Sequence, residues 1–164
     1  MESIFEPETI CKIEVVGNDS EFMAFFDKHP KGILCVPESL VGLSQYNVVM
    51  PETYRFTKWI NKKRKDITIN VAQSEGTKSL NSNDFWMPIV FLASDVSLPV
   101  FLNLVSSYIY DLMKGALKHD KANIHLKTFF RDDRAAVTKT LSYSGPAEKF
   151  LQIAKDGNLD KFIN

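Results

Sequence analysis

Apolar and polar residues alternate along several segments of the chain, and a period of two is typical of strands with one buried face. Near the C-terminal end, two such segments flank a short charged stretch, which predicts an antiparallel hairpin of 123–130 and 136–143. Apolar segments predict further strands at 11–16, 31–36, 67–72 and 88–93. The last of these is almost entirely apolar, as expected of a strand that is covered on both faces.

Apolar residues at helical spacing predict a long helix over 98–117. Its apolar face consists of Phe101, Leu102, Val105, Ile109, Leu112, Met113 and Ala116. A second helix is expected to begin at Pro51, because proline is favoured in the first turn, and to end near Lys65. Two more helices are predicted, from Asp19 or Ser20 to His29 and from Pro146 to 156.

The order of these elements predicts an α/β fold that becomes α+β towards the C-terminus. We expect a mixed sheet, the long helix packed across one face of it, and a C-terminal β-hairpin followed by a helix. A single domain over 1–164 is the simplest organisation. The alternative is a boundary in the polar segment 73–86, which we expect to be a long mobile loop because it contains few apolar residues.

Composition excludes a general affinity for polyanions. Lys and Arg total 20 and Asp and Glu total 20, so attraction to nucleic acid would require a local basic patch. The two cysteines, Cys11 and Cys35, lie in apolar segments and are expected to be buried free thiols. The first ten residues lack Lys and Arg, and the helix over 98–117 is interrupted by polar residues. We therefore expect a cytoplasmic protein without a signal peptide or a membrane span.

A local basic patch is present in the segment 58–65, which contains Lys58, Lys62, Lys63, Arg64 and Lys65. Cations at the C-terminal end of a helix stabilise its exposed carbonyl groups, which supplies a structural reason for most of the cluster. The same residues can bind phosphates, with Trp59 as a stacking platform for a base. Because Trp59 shares a stripe with Phe56 and Ile60, we expect its ring to face the core, and we favour the structural interpretation.

Two sets of residues have the chemistry of metal ligands. Asp66 precedes the strand at 67–72 and Glu75 follows it, an order that resembles the core of metal-dependent nucleases, in which carboxylates hold Mg²⁺ and a lysine steadies the phosphate. Here the lysine, Lys78, comes one position late, which on a strand places it on the opposite face. His119, Asp120 and His125 form the second set, although their spacing is not that of a known zinc site.

No motif in the sequence specifies a reaction. The glycines are scattered singly and form no phosphate-binding loop, and no serine lies in a G-x-S-x-G turn. We therefore expect a small cytosolic, non-enzymatic binding or regulatory module, such as an accessory component of a microbial multi-protein, stress or defence system. It is expected to need no cofactor and to bind another protein or a second copy of itself. The alternatives are nucleic-acid binding through 58–65 and a metal-dependent hydrolase or nuclease that uses Asp66 and Glu75.

Overall fold

Strands outnumber helices in the computed structural model, which describes residues 9–17, 28–29, 31–80, 84–114, 122–132 and 137–155. The strands are β1 (Ile10–Gly17), β2 (Ile33–Val36), β3 (Val48–Val49), β4 (Ile69–Val71), β5 (Gly76–Thr77), β6 (Phe85–Leu92), β7 (Asn123–Asp132) and β8 (Val137–Pro146). The helices are α1 (Thr53–Lys63), α2 (Leu98–Lys114) and α3 (Ala147–Lys155), and a short 3₁₀ helix covers Glu38–Val41. The helix predicted over 19–29 lies almost entirely outside the described residues.

The central sheet has six strands in the order β1-β8-β7-β6-β2-β4. The pairs β1–β8, β8–β7 and β6–β2 are antiparallel, whereas β7–β6 and β2–β4 are parallel. This arrangement confirms the predicted α/β fold with a mixed sheet and a C-terminal hairpin. Strands from both sides of the 73–86 segment share the sheet. The single-domain organisation stays a prediction.

The three helices cover one face of this sheet. Phe56 of α1, Phe101 of α2 and Phe150 of α3 are fully buried and belong to one core cluster, to which β2, β6, β7 and β8 also contribute. The ring of Phe56 packs edge-on against Phe101, with 6.2 Å between the ring centroids. Removing such large apolar side chains from water provides most of the driving force for this packing.

The apolar face that the sequence predicts for α2 lies in this core. The buried face of the helix is wider than the predicted one. The first four members of the predicted face are fully buried and Leu112 and Met113 are partly buried, while Ala116 lies outside the described residues. Tyr108, which the apolar pattern did not include, is also buried, and its hydroxyl donates to Glu52 Oε1 at 2.6 Å. Burial and the neighbouring Glu52 carboxylate raise the pKa of the Tyr108 phenol. This hydrogen bond lets the helix bury a polar group on its core face.

A second, smaller core lies on the opposite face of the sheet. Its buried members are Leu34, Val36, Met50, Ile89, Phe91 and Phe129. The rings of Phe91 and Phe129, which are register partners on β6 and β7, stack with 4.8 Å between their centroids. Leu40 and Val41 of the 3₁₀ helix pack against the cluster. The segment that contains the 3₁₀ helix and Met50 therefore covers this face over β2 and β6.

The helix α1 begins two residues later than predicted. Pro51 lies in a turn, Glu52 occupies the N-cap position, and the first helical residue is Thr53. The N–H of Glu52 donates to the carbonyl oxygen of Trp86 at 3.1 Å, and that bond ties the start of α1 to β6. A tertiary hydrogen bond therefore sets the start of the helix.

The first part of the polar segment 73–86 has more structure than the pattern predicted. The strand β5 pairs in parallel with β3 to form a separate two-stranded sheet. Glu75 N–H donates to Asn47 O at 2.7 Å, and Lys78 N–H donates to Val49 O at 2.8 Å. These bonds hold the segment beside the second core. A single-sequence pattern misses such short strands because two residues show no period.

Neither Cys11 nor Cys35 forms a disulfide bond, as expected. Cys35 is fully buried in β2, and burial raises the pKa of its thiol to about 12. Cys11 is partly buried, and burial raises its pKa as well. Neither thiol has the depressed pKa of a reactive cysteine. No helix within the described ranges is long and apolar enough to cross a membrane.

Candidate functional site

A groove with a mostly apolar lining lies on the face of the sheet opposite the helices, beside the second core. The side chains of β7 and β8 alternate there between buried and partly exposed positions, as in a sheet with one wet face. The strand residues that line the groove include Ile10, Lys12, Trp86, Ile89, His125, Lys127, Ser142 and Ser144. The segment that covers β2 and β6 supplies the wall. The groove has a volume of about 470 Å³.

The wall of the groove combines apolar side chains with one ion pair. Leu43 and Met50 line it, together with Glu38 and Lys78. Lys78 Nζ lies 3.2 Å from Glu38 Oε1, so the single carboxylate of the wall is neutralised by a lysine from the same wall. Since Lys78 follows β5 and Glu38 opens the 3₁₀ helix, this pair also joins the two segments that form the wall.

Three side chains form a hydrogen-bonded relay at the floor of the groove. His125 on β7 lies directly opposite Ser144 on β8, and its Nδ1 is hydrogen-bonded to Ser144 Oγ. The other ring nitrogen, Nε2, lies 2.9 Å from Asp84 Oδ2. Asp84 immediately precedes β6, and its second oxygen accepts a hydrogen bond from the backbone N–H of Asn123 at 3.1 Å. The carboxylate, imidazole and hydroxyl therefore form one continuous chain of hydrogen bonds.

The positions of these groups determine the direction of the relay. An ionised Asp84 carboxylate can only accept a hydrogen bond, so the bond between Asp84 and His125 requires a proton on His125 Nε2. In the neutral imidazole, Nδ1 then carries the lone pair and accepts from the Ser144 hydroxyl. Trp86 stacks on the His125 ring, with 3.7 Å between the centroids and an interplanar angle of 17°. The stacking and the two hydrogen bonds fix the orientation of the imidazole.

Lys127 adds positive charge to the same surface. It lies two residues after His125 on the same face of β7, directly opposite Ser142 of β8. Lys12 lies on the other side of Ser142 and pairs with Glu14 at 3.1 Å. The Lys127 side chain is partly buried, and among the described residues it has no ion-pair partner. The groove therefore holds one uncompensated ammonium group beside the relay.

The basic segment predicted from the sequence lies away from this groove, at the end of α1. Lys62 and Lys63 are in the last turn of the helix, Arg64 is its C-cap residue, and Lys58 and Lys65 are exposed before and after them. The placement of Lys62 and Lys63 is the one that the helix-end interpretation predicts.

Trp59 faces the helical core, as predicted. Its indole N–H donates to Asp111 Oδ2 at 3.0 Å, and its ring lies edge-on to Tyr108, with 5.7 Å between the centroids. The hydrogen bond from Trp59 holds the pKa of Asp111 below its usual range, aided by the nearby amines of Lys114 and Lys63. A ring held in this way between two helices is poorly placed to stack on a base.

The carboxylates predicted as metal ligands have other partners or other locations. Asp66 accepts two hydrogen bonds from the Arg64 guanidinium, both at 2.9 Å, and this partner lowers the pKa of its carboxyl group. Glu75 precedes β5 in the two-stranded sheet. Within the described ranges, no three His, Cys, Asp or Glu side chains form a group that could hold a metal. His119 and Asp120 lie outside the described residues.

The relay was not predicted from the sequence. His125 was considered only as a metal ligand, and neither Asp84 nor Ser144 carried any signal, because 41 positions separate Asp84 from His125. Comparisons of the chain with protein-family models, curated proteins and solved structures found no match. We therefore infer the function from the geometry and charge of the groove.

Proposed function

We propose that this chain is a small binding module that holds an acidic, partly apolar peptide segment of a partner protein in the groove. One observation carries the proposal: Lys127, a partly buried residue, has no counter-ion among the described residues and lies in a groove with apolar walls. The expected role as a cytoplasmic accessory or regulatory component, for example in a microbial multi-protein, stress or defence system, belongs to the same proposal.

The charge of the groove favours an anionic ligand. Among the described residues, three lysines line the groove, and Glu38 supplies the only lining carboxylate. Glu38 neutralises Lys78, and Glu14 neutralises Lys12 from outside the groove. Lys127 is then the uncompensated charge. A carboxylate of the ligand can supply the missing counter-ion, and the attraction between the two charges is stronger where the ligand excludes water from the groove.

The apolar residues of the groove favour a ligand that also has apolar side chains. Ile10 is 43% exposed and Leu43 is 47% exposed, on opposite sides of the groove. Burying apolar surface contributes about 25 cal/mol per Å², so two such side chains can supply anchor points for a partner. A peptide with alternating acidic and apolar residues matches both features.

The proposal can be tested by selecting peptides from a random displayed library against the immobilised protein. We expect the enriched sequences to combine Asp or Glu with Leu, Ile or Phe. For one enriched peptide, we expect Lys127→Glu to weaken binding by at least about tenfold. The loss of one ion pair, worth up to about 1 kcal/mol, and a new repulsion of similar size together reach the roughly 1.4 kcal/mol that a tenfold change represents.

The matched control is Lys62→Glu, which makes the same change of charge in the basic segment at the end of α1. It should leave the affinity for the peptide nearly unchanged. If the selection enriches no acidic sequences, or if both variants weaken binding equally, the peptide does not bind in the groove and the proposal is wrong.

Nucleic-acid binding through 58–65 is the second candidate. The observation that favours it is that Lys58, Lys62, Lys63 and Lys65 are all exposed and have no ion-pair partner among the described residues. The orientation of Trp59 argues against base stacking, and the position of Lys62 and Lys63 at the helix end supplies a structural reason for the charge. We therefore place this function second.

Changing both Lys62 and Lys63 to Gln should lower the melting temperature only slightly, because helix-end charges act locally and are screened by salt. We expect no measurable binding to duplex or single-stranded nucleic acid at physiological salt, before or after the change. The measurement is a salt series with both nucleic acids. Micromolar binding by the wild type would contradict this expectation. If Lys62 and Lys63 contact phosphates, the steepness of log affinity against log salt should also be lower in the variant, by about 0.9 per lost contact for a duplex or about 0.7 for a single strand.

A metal-dependent hydrolase that uses Asp66 and Glu75 stays a prediction and ranks third. The two hydrogen bonds from Arg64 to Asp66 compete with a metal for that carboxylate. A rise in melting temperature with Mg²⁺ or Mn²⁺ that is lost in Asp66→Asn would support the hydrolase.

A further inference from the structure

We propose that Ser144 is a nucleophile activated by His125, so that the groove can accept the acyl group of a carboxylic ester. The proposal goes beyond peptide binding and does not depend on it. It rests on the Asp84–His125–Ser144 relay and on the open groove into which Ser144 and His125 face. A nucleophilic serine is recognised by the roles and geometry of its partners and not by a sequence motif.

The relay has the parts that an activated serine requires. The hydroxyl of Ser144 is hydrogen-bonded to an imidazole nitrogen, and the other nitrogen of that ring is hydrogen-bonded to a carboxylate. Asp84 is a positioning residue, which fixes the tautomer of His125 through Oδ2 while its Oδ1 is held by the backbone N–H of Asn123. The side chain of His125 is 22% exposed and that of Asp84 is 24% exposed. The base is therefore reachable from the groove.

Hydrolysis of an ester at Ser144 needs only water as the second reactant and no cofactor. Ser144 Oγ attacks the ester carbonyl carbon while its proton moves to His125 Nδ1. The tetrahedral intermediate expels the alcohol, which takes that proton from Nδ1, and an acyl group remains on Ser144. A water molecule then attacks the acyl carbon, passes a proton to Nδ1, and releases a carboxylic acid as Ser144 recovers its proton.

Lys127 is placed to stabilise the negative oxygen of the intermediate. It lies opposite Ser142 on the same face, which makes it a diagonal neighbour of Ser144 across the β7–β8 pair. Diagonal neighbours in an antiparallel pair are about 7–8 Å apart, a distance that a long lysine side chain can span. An ammonium group near a developing oxyanion lowers the energy of the transition state.

Labelling with a fluorescent fluorophosphonate probe tests the inference. The probe phosphonylates an activated serine, fluoride leaves, and the proton of the hydroxyl passes to the base. We expect the wild-type protein to be labelled at Ser144, as located by mass spectrometry of peptides. Ser142 is a matched internal control, because it lies on the same strand and the same face, two residues away, but opposite Lys127 instead of a histidine.

The variants separate nucleophile, base and positioning residue. Ser144→Ala should abolish labelling, and Ser107→Ala, at an exposed position of α2 outside the groove, should leave it unchanged. His125→Gln should slow labelling by at least about 100-fold, as expected for the loss of a general base. Asp84→Asn should also slow it, and Asp84→Glu, which restores the carboxylate, should recover part of the rate.

Absence of labelling in the wild type, or labelling of Ser142 as fast as Ser144, would overturn the inference without the use of any variant. An unchanged rate in a folded His125→Gln would overturn it too. The reactive fluorophosphonate group is uncharged and the labelling needs no peptide, so this result is independent of the test of peptide binding with Lys127→Glu. A reactive Ser144 in a protein that selects no acidic peptide would leave the inference standing and the proposed function wrong.

Discussion

Replacing Ile109 with aspartate is expected to unfold the protein. Ile109 is fully buried on α2, where the helix faces the sheet. Truncating a buried isoleucine to alanine costs about 2–5 kcal/mol, and burying an unpaired carboxylate adds several more. The sum is comparable with the 5–15 kcal/mol that stabilises an ordinary domain. The purified variant should show no cooperative thermal transition, or should be found only in the insoluble fraction.

Tyr110→Asp is the matched control for this experiment, because the next residue along α2 is 60% exposed. It introduces the same charge into the same helix without burying it, and its melting temperature should stay close to that of the wild type. If Ile109→Asp is soluble and melts like the wild type, the face of α2 assigned to the core is exposed, and the position of the helix on the sheet is wrong.

Gly32→Ala is the second change for which a large loss of stability is expected. Gly32 precedes β2 with a φ of 81°, and a Cβ at this position would lie 2.0 Å from the carbonyl oxygen of Thr68. That backbone cannot move freely, because the same Thr68 oxygen accepts a hydrogen bond from Ile33 N–H at 2.8 Å where β2 meets the segment before β4. The variant should lose several kcal/mol, measured as the free energy of unfolding in urea.

Gly42→Ala separates the cost of a left-handed backbone from the cost of the close contact with Thr68. Gly42 has a similar φ of 73°, but apart from its chain neighbours no atom of the described residues lies within 4 Å of the position that its Cβ would take. It should therefore cost only about 1–2 kcal/mol, the cost of a left-handed conformation for alanine. Equal losses in the two variants would mean that the close approach of Gly32 to Thr68 does not exist in solution.

The regular elements of this fold could be predicted because each has its own local pattern. The hairpin of β7 and β8 follows from two alternating segments, and α2 follows from apolar residues at helical spacing. The start of α1 could not be predicted in the same way. Pro51 is favoured in the first turn of a helix, but the hydrogen bond from Glu52 to Trp86 holds the chain in a turn until Thr53.

The strand order and the groove depend on contacts between distant residues. Nothing in the sequence of β1 indicates that it pairs with β8, or that β6 lies parallel to β7. Asp84, His125 and Ser144 come together only because the register places Trp86 beside His125 and His125 beside Ser144. Each residue alone has an ordinary structural interpretation, so a single sequence gives no reason to select these three.

We expect the groove beside His125, and not the basic end of α1, to be the binding surface. The two tryptophans of the chain report on the two surfaces separately, because Trp86 stacks on His125 in the groove while Trp59 lies on α1 beside the basic segment. In a ¹H–¹⁵N spectrum each indole N–H gives one signal, and Trp59→Phe identifies which is which. Titration with an acidic peptide enriched by the selection should move the Trp86 signal and leave the Trp59 signal in place. Movement of the Trp59 signal, with the Trp86 signal unchanged, would contradict the account.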